Sequence, residues 1–130
     1  MNTPVKFEIA KLLKEKGFDN ESAHYYNEKG EMLFDAYYPS LQPTKPDVYY
    51  DNPTIAEVVM WLYEGHGVWI TSYPIGVGYY CYQIYSIKNR KNSKDNIVQN
   101  EKDSIQYDEL FNSPTEAYEA AIFYVLSNLI

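Results

Sequence analysis

Asn52-Pro53-Thr54-Ile55-Ala56-Glu57-Val58-Val59-Met60-Trp61-Leu62-Tyr63-Glu64-Gly65-His66-Gly67, followed by Val68-Trp69-Ile70-Thr71-Ser72-Tyr73, is the stretch from which the fold is read. Asn52 and Pro53 have the form of a helix start, a capping side chain followed by a proline whose missing N–H costs nothing in the first turn. Ile55, Val58, Val59 and Leu62 recur at helical spacing and mark an inward face. Gly65 and Gly67 end the helix, and Val68 to Tyr73 then reads as a strand. A turn at Pro74, Gly76 and Gly78 leads into Val77 to Lys88, rich in β-formers: Tyr79, Tyr80, Cys81, Tyr82, Ile84, Tyr85 and Ile87. The unit is helix, strand, strand.

The same unit recurs fifty residues earlier. Val5 aligns with Ile55, Ile9 with Val59, Leu12 with Leu62 and Gly17 with Gly67. Thr3-Pro4 opens this first helix, and Ala23 to Asn27 and Met32 to Tyr38 read as a hairpin around Gly30. An internal duplication of 3–38 and 53–88 follows, completed by a C-terminal helix over 113–129. Ser113-Pro114-Thr115-Glu116 caps that helix, with Ser113 and Glu116 each reaching the other's backbone amide. Tyr118, Ile122, Val125 and Leu129, flanked by Ala121, form its expected core stripe, with Glu116, Glu119, Phe123 and Ser127 opposite. The predicted architecture is one α+β domain over 1–130, ordered α-β-β-α-β-β-α. Its antiparallel sheet has about four strands and helices packed mainly on one face; the alternative places helices on both faces. Pro39 to Asp51 and Lys88 to Ser104 read as surface loops.

The net charge of −7 argues against direct nucleic-acid binding, which neutralises phosphates with Lys and Arg. Lys88, Arg90, Lys91 and Lys94 form a local basic cluster within the second loop, read as a solvated stretch. No apolar run reaches the roughly 18 residues of a membrane helix, and the first residues lack a signal-peptide core, so a cytoplasmic protein without a membrane partner is expected.

Three motifs carry a resemblance. They are Lys6-Phe7-Glu8-Ile9-Ala10-Lys11-Leu12-Leu13-Lys14-Glu15-Lys16-Gly17-Phe18, Ala56-Glu57-Val58-Val59-Met60-Trp61-Leu62-Tyr63-Glu64 with Gly67-Val68-Trp69-Ile70, and Ser113-Pro114-Thr115-Glu116-Ala117-Tyr118-Glu119-Ala120-Ala121. Together they resemble a group of small uncharacterised proteins of gut Bacteroidetes bacteria and of their phages and mobile elements. The resemblance covers the three helices, under half of the chain. It implies a phage-related context and carries no activity, cofactor or site residue.

The chemistry-bearing residues are few. His24, His66 and Cys81 fall in no metal-ligand spacing, so no metal is expected. Gly76-Val77-Gly78 leads into a strand instead of a helix and fails as a dinucleotide fingerprint, so no cofactor is expected. Cys81, bracketed by tyrosines in the most strand-like run, reads as a buried thiol. Glu116 and Glu119 sit near a helix start, where acids stabilise the dipole. Catalytic residues are therefore unknown, and an enzyme is the weaker expectation.

The aromatic residues are the stronger signal: 15 Tyr, 5 Phe and 2 Trp. Tyr-Tyr pairs recur on the strands, and each pair turns one ring to either face. Tyr25, Tyr37, Tyr79, Tyr82 and Tyr85 are accordingly expected to build an aromatic outer sheet face. Trp61 and Phe123 lie off their helices' core stripes, as does Phe7. The expected function is a small non-enzymatic binding protein that contacts a protein partner, or a second copy of itself, through these residues. The alternatives are an acidic inhibitor that mimics nucleic-acid charge, using the acids of 19–64 and 95–119, and an enzyme with an unidentified site.

Overall fold

The computed structural model describes residues 3–20, 24–34, 48–86, 98–99 and 110–130. Among these residues, three helices, α1 (Phe7–Glu15), α2 (Ile55–His66) and α3 (Pro114–Asn128), alternate with six strands. The strands are β1 (His24–Tyr26), β2 (Met32–Phe34), β3 (Tyr50–Asp51), β4 (Val68–Pro74), β5 (Tyr80–Ser86) and β6 (Val98–Gln99). The fold is α+β, with both sheets antiparallel.

The expectation of one sheet of about four strands is corrected. Two three-stranded sheets form, in the orders β2-β1-β3 and β4-β5-β6. The two hairpins are where the sequence placed them, but each recruits a two-residue third strand from a segment read as loop. Tyr50–Asp51 pairs with Tyr25 and Tyr26, and Val98–Gln99 pairs with Tyr85 and Ser86. Each addition satisfies backbone groups that an open hairpin edge leaves unpaired. Residues 39–47, 88–97 and 100–104 of these loops, including Lys88, Arg90, Lys91 and Lys94, lie outside the described residues.

Two of the three proline-led helix starts, those of α1 and α2, shift inward. α1 begins at Phe7 behind Lys6, which makes no side-chain cap bond, and α2 begins at Ile55 behind Thr54, whose side-chain oxygen accepts from the Glu57 amide. Thr3-Pro4 and Pro53-Thr54 are occupied elsewhere, in an antiparallel bridge between Pro4 and Thr54. The Val5 amide donates to the Pro53 carbonyl (3.0 Å), and the Ile55 amide donates to the Thr3 carbonyl (2.9 Å). Both bonds obey the fifty-residue offset, so the helix entries meet as reciprocal halves about a local two-fold. The sheets depart from that symmetry, because the central strand is the first of one hairpin (β1) and the second of the other (β5).

α3 is the hub. It contacts α1, α2, β4 and β5. Its buried stripe is Ala117, Ala121, Ile122, Val125 and Leu126; Tyr118 is half-buried and Leu129 exposed, which corrects the expected stripe. The two fully buried alanines bring the helix backbone close to the sheet and turn the stripe toward them. Val68, Ile70, Tyr82 and Ile84 meet it from the second sheet, and Ile55, Val58, Val59 and Leu62 from α2, in one continuous core. The Ser113 hydroxyl accepts from the Glu116 amide (3.1 Å), as expected, while the Glu116 carboxylate accepts from the Asn112 amide (3.1 Å) and not from that of Ser113. Ser113→Ala is expected to cost about 1 kcal/mol in urea denaturation; a change within error would show that the cap does not hold the helix start.

Candidate functional site

A cleft of about 530 Å³ opens between the start of α1 and one face of α3. α3 supplies Glu116, Glu119, Ala120, Phe123, Tyr124 and Asn128, which share a face because they recur at three- and four-residue steps. Lys6, Glu8 and Ile9 face them from the first turn of α1. Tyr82 and Phe111 close the far end, their ring centroids 6.0 Å apart. Phe111 is fixed there by a reciprocal backbone pair with Tyr80, both bonds 2.9 Å long.

Glu119 is the unusual residue. It is only 8% exposed, although it sits on a face the sequence assigned away from the core. Its Oε2 makes no hydrogen bond among the described residues. The Lys6 ammonium lies 3.8 Å from that atom, beyond hydrogen-bond length, on a side chain that is 65% exposed. Burial raises the Glu119 carboxyl above the usual carboxylate value; Lys6 offsets part of this, and the charges of Glu116 and Glu8 add to it. The Tyr26 hydroxyl donates to the Val5 carbonyl (2.8 Å) beneath the start of α1, and burial pushes its own pKa up.

The raised carboxyl has a thermodynamic consequence. The native state holds the Glu119 proton more tightly than the unfolded chain does. Between the ordinary value of 4.5 and the raised one, stability therefore falls as pH rises. Glu119→Gln is expected to flatten that part of the stability–pH profile and to be at least as stable as the parent at neutral pH, as measured by urea denaturation across the acid range. A variant profile parallel to the parent's would contradict the assignment.

The aromatic residues singled out from the sequence separate into distinct environments. Tyr25 is 1% exposed, with its ring edge-on to Tyr49 at 5.7 Å. Tyr82 is buried in the core on the helix-facing side of β5. Tyr79 is 48% exposed, and Tyr85 is half-buried with its hydroxyl donating to Gln83. The expected common outer face of Tyr79, Tyr82 and Tyr85 is corrected by strand parity: odd and even positions of β5 point to opposite sides. Tyr37 lies outside the described residues. Trp61 is half-buried, edge-on to Phe18 (5.3 Å) and His66 (4.7 Å). Phe7 is covered by Tyr26 and Tyr50. Phe123 remains 49% exposed and lines the cleft with Tyr82.

Two other concavities are less suited to a ligand. One, beside Leu13 and Phe18, is smaller and has on its wall Lys14, which donates to the Tyr49 carbonyl (2.7 Å) and lies over the Tyr49 and Tyr50 rings. The other is a shallow surface around Met60 and Trp61, rimmed by Glu57 and Glu64. A two-fold contact there would set those acids against their own copies.

Among the described residues no three His, Cys, Asp or Glu side chains converge as metal ligands do, and no helix is long and apolar enough to cross a membrane. Cys81 is a free, fully buried thiol. The Glu116 carboxylate accepts from the Asn112 amide through Oε2. Lys6, Glu8, Phe111 and Tyr124 carried no signal in the sequence, because their place in the cleft depends on where α1 and the approach to α3 come to lie. No family model matches the chain, and neither a curated protein nor a solved structure matches it significantly.

Proposed function

We propose that this chain is a non-enzymatic binding protein and that the cleft between α1 and α3 receives a segment of a protein partner. The observation that supports this most is that an exposed aromatic ring, Phe123, and a buried carboxylate, Glu119, share one wall of a concavity of about 530 Å³. That volume lies within the roughly 300–1,000 Å³ of ligand sites, whose walls are mostly apolar with a few placed polar groups. Of the aromatic residues expected to meet a partner, Phe123 is thus retained as the principal contact. Tyr25 and Tyr82 are assigned to packing.

The setting we propose is the bacterial cytoplasm, in a phage or mobile element, on the strength of the three helical motifs. Charge mimicry of nucleic acid finds less support at Glu119, whose carboxylate is buried and not displayed. The test is a screen of capped amino-acid amides, charged and neutral, by amide chemical shifts of the ¹⁵N-labelled protein. Saturable shifts confined to Ile9, Phe111, Ala120, Phe123, Tyr124 and Asn128 are expected from at least one probe. A full set that leaves these residues unmoved would refute the cleft as a site.

A further inference from the structure

Resting on that reading, we propose that the cleft recognises an arginine side chain of the partner, its guanidinium set between the Glu119 carboxylate and the aromatic rings. Three observations point to a cation. Among the described residues, Glu8, Glu116 and Glu119 line the cleft with a single basic group, Lys6. The Glu119 Oε2 is buried without a hydrogen-bond donor among the described residues. Phe111, Phe123 and Tyr124 supply ring surface in the same cleft.

Guanidinium suits this combination better than ammonium. It is planar, stacks on rings, is weakly hydrated, and presents several donors to a carboxylate at once. The protein already demonstrates the pairing of cation and ring on the other side of α1, where Lys11 lies 5.4 Å from the Phe7 centroid and Lys14 lies 4.9 Å from that of Tyr50. Phe123 has no such cation of its own among the described residues. Lys6, held 3.8 Å from Glu119 on a mostly exposed side chain, is placed as a loosely bound occupant that an arginine displaces. Asn128 donates through Nδ2 to the Tyr124 carbonyl (3.1 Å), which leaves its carbonyl oxygen as a further acceptor on the cleft wall.

The experiment titrates acetyl-arginine-methylamide and its neutral isostere acetyl-citrulline-methylamide into the ¹⁵N-labelled chain. The arginine probe is expected to saturate the cleft shifts with about tenfold higher affinity than citrulline. Glu119→Gln should remove that advantage, and Phe123→Ala should weaken both probes. Lys6→Met should tighten arginine binding, because it removes the resident ammonium; weakening by Lys6→Met would overturn the proposal. Equal binding of both probes in the cleft would overturn the choice of arginine while leaving the cleft a binding site. If neither the two probes nor the wider set of amides moved the cleft residues, the binding reading itself would fall. Arginine-induced shifts that spread over surface acids, vanish in high salt and persist in Glu119→Gln would mark non-specific attraction and would also overturn it.

Discussion

Tyr25→Ala is expected to destabilise the protein by about 3–5 kcal/mol, the range for removing a large buried aromatic side chain. Tyr25 lies in the middle strand of the first sheet, opposite Leu33 on one side and Asp51 on the other. At 1% exposure its ring cannot be offered to a partner without opening the sheet. Its neighbour Tyr26 points to the other face and is tied to the Val5 carbonyl, so the strand is anchored on both sides. Since small domains are stable by roughly 5–15 kcal/mol, the loss should be visible as a large fall in the urea midpoint followed by circular dichroism. A cost below about 1 kcal/mol would mean that the ring leaves its position readily, returning Tyr25 to the class of contact residues.

Leu126→Ala should cost about 2–5 kcal/mol, with the outcome set by how far the surroundings collapse into the space. Leu126 is fully buried on α3, the helix that touches both other helices and the second sheet. Its neighbours Ala121, Ile122 and Val125 are also fully buried, so little slack exists nearby to fill a cavity. Thermal and urea denaturation should agree on one cooperative loss. A cost under 1 kcal/mol would contradict α3 as the packing hub.

The parts of the fold that could be read from residues are those fixed by neighbours in sequence. Ser113-Pro114 and the glycine after His66 set the ends of α3 and α2 locally, and Gly67 has the left-handed φ of 66° that the stop requires. Gly30 likewise adopts φ 82° in the first hairpin, where a Cβ would come within 2.9 Å of the Phe7 ring. α1 starts later than its sequence implies because Thr3-Pro4 has the chemistry of a cap while the Pro4 backbone pairs with Thr54, fifty positions away. β3 and β6 were missed because two residues hold no alternation to recognise.

The site divides in the same way. Glu116, Glu119 and Phe123 were visible as one face of α3, since that follows from helical spacing alone. Helical spacing sets Glu119 opposite the core stripe, and its burial comes from the packing of α1 against α3, which no local pattern announces. The error in the tyrosines was one of parity, in which Tyr82 was grouped with Tyr79 and Tyr85 although it alternates with them.

The most direct test of the central claim is the side-chain ¹³C titration of the Glu119 carboxyl, recorded with and without acetyl-arginine-methylamide. In the free protein Glu119 is expected to titrate above its ordinary value of 4.5, because burial disfavours its charge, and the arginine probe is expected to lower that value while the citrulline analogue does not. A Glu119 carboxyl that titrates in the ordinary range and ignores both probes would contradict a buried carboxylate poised for a cation.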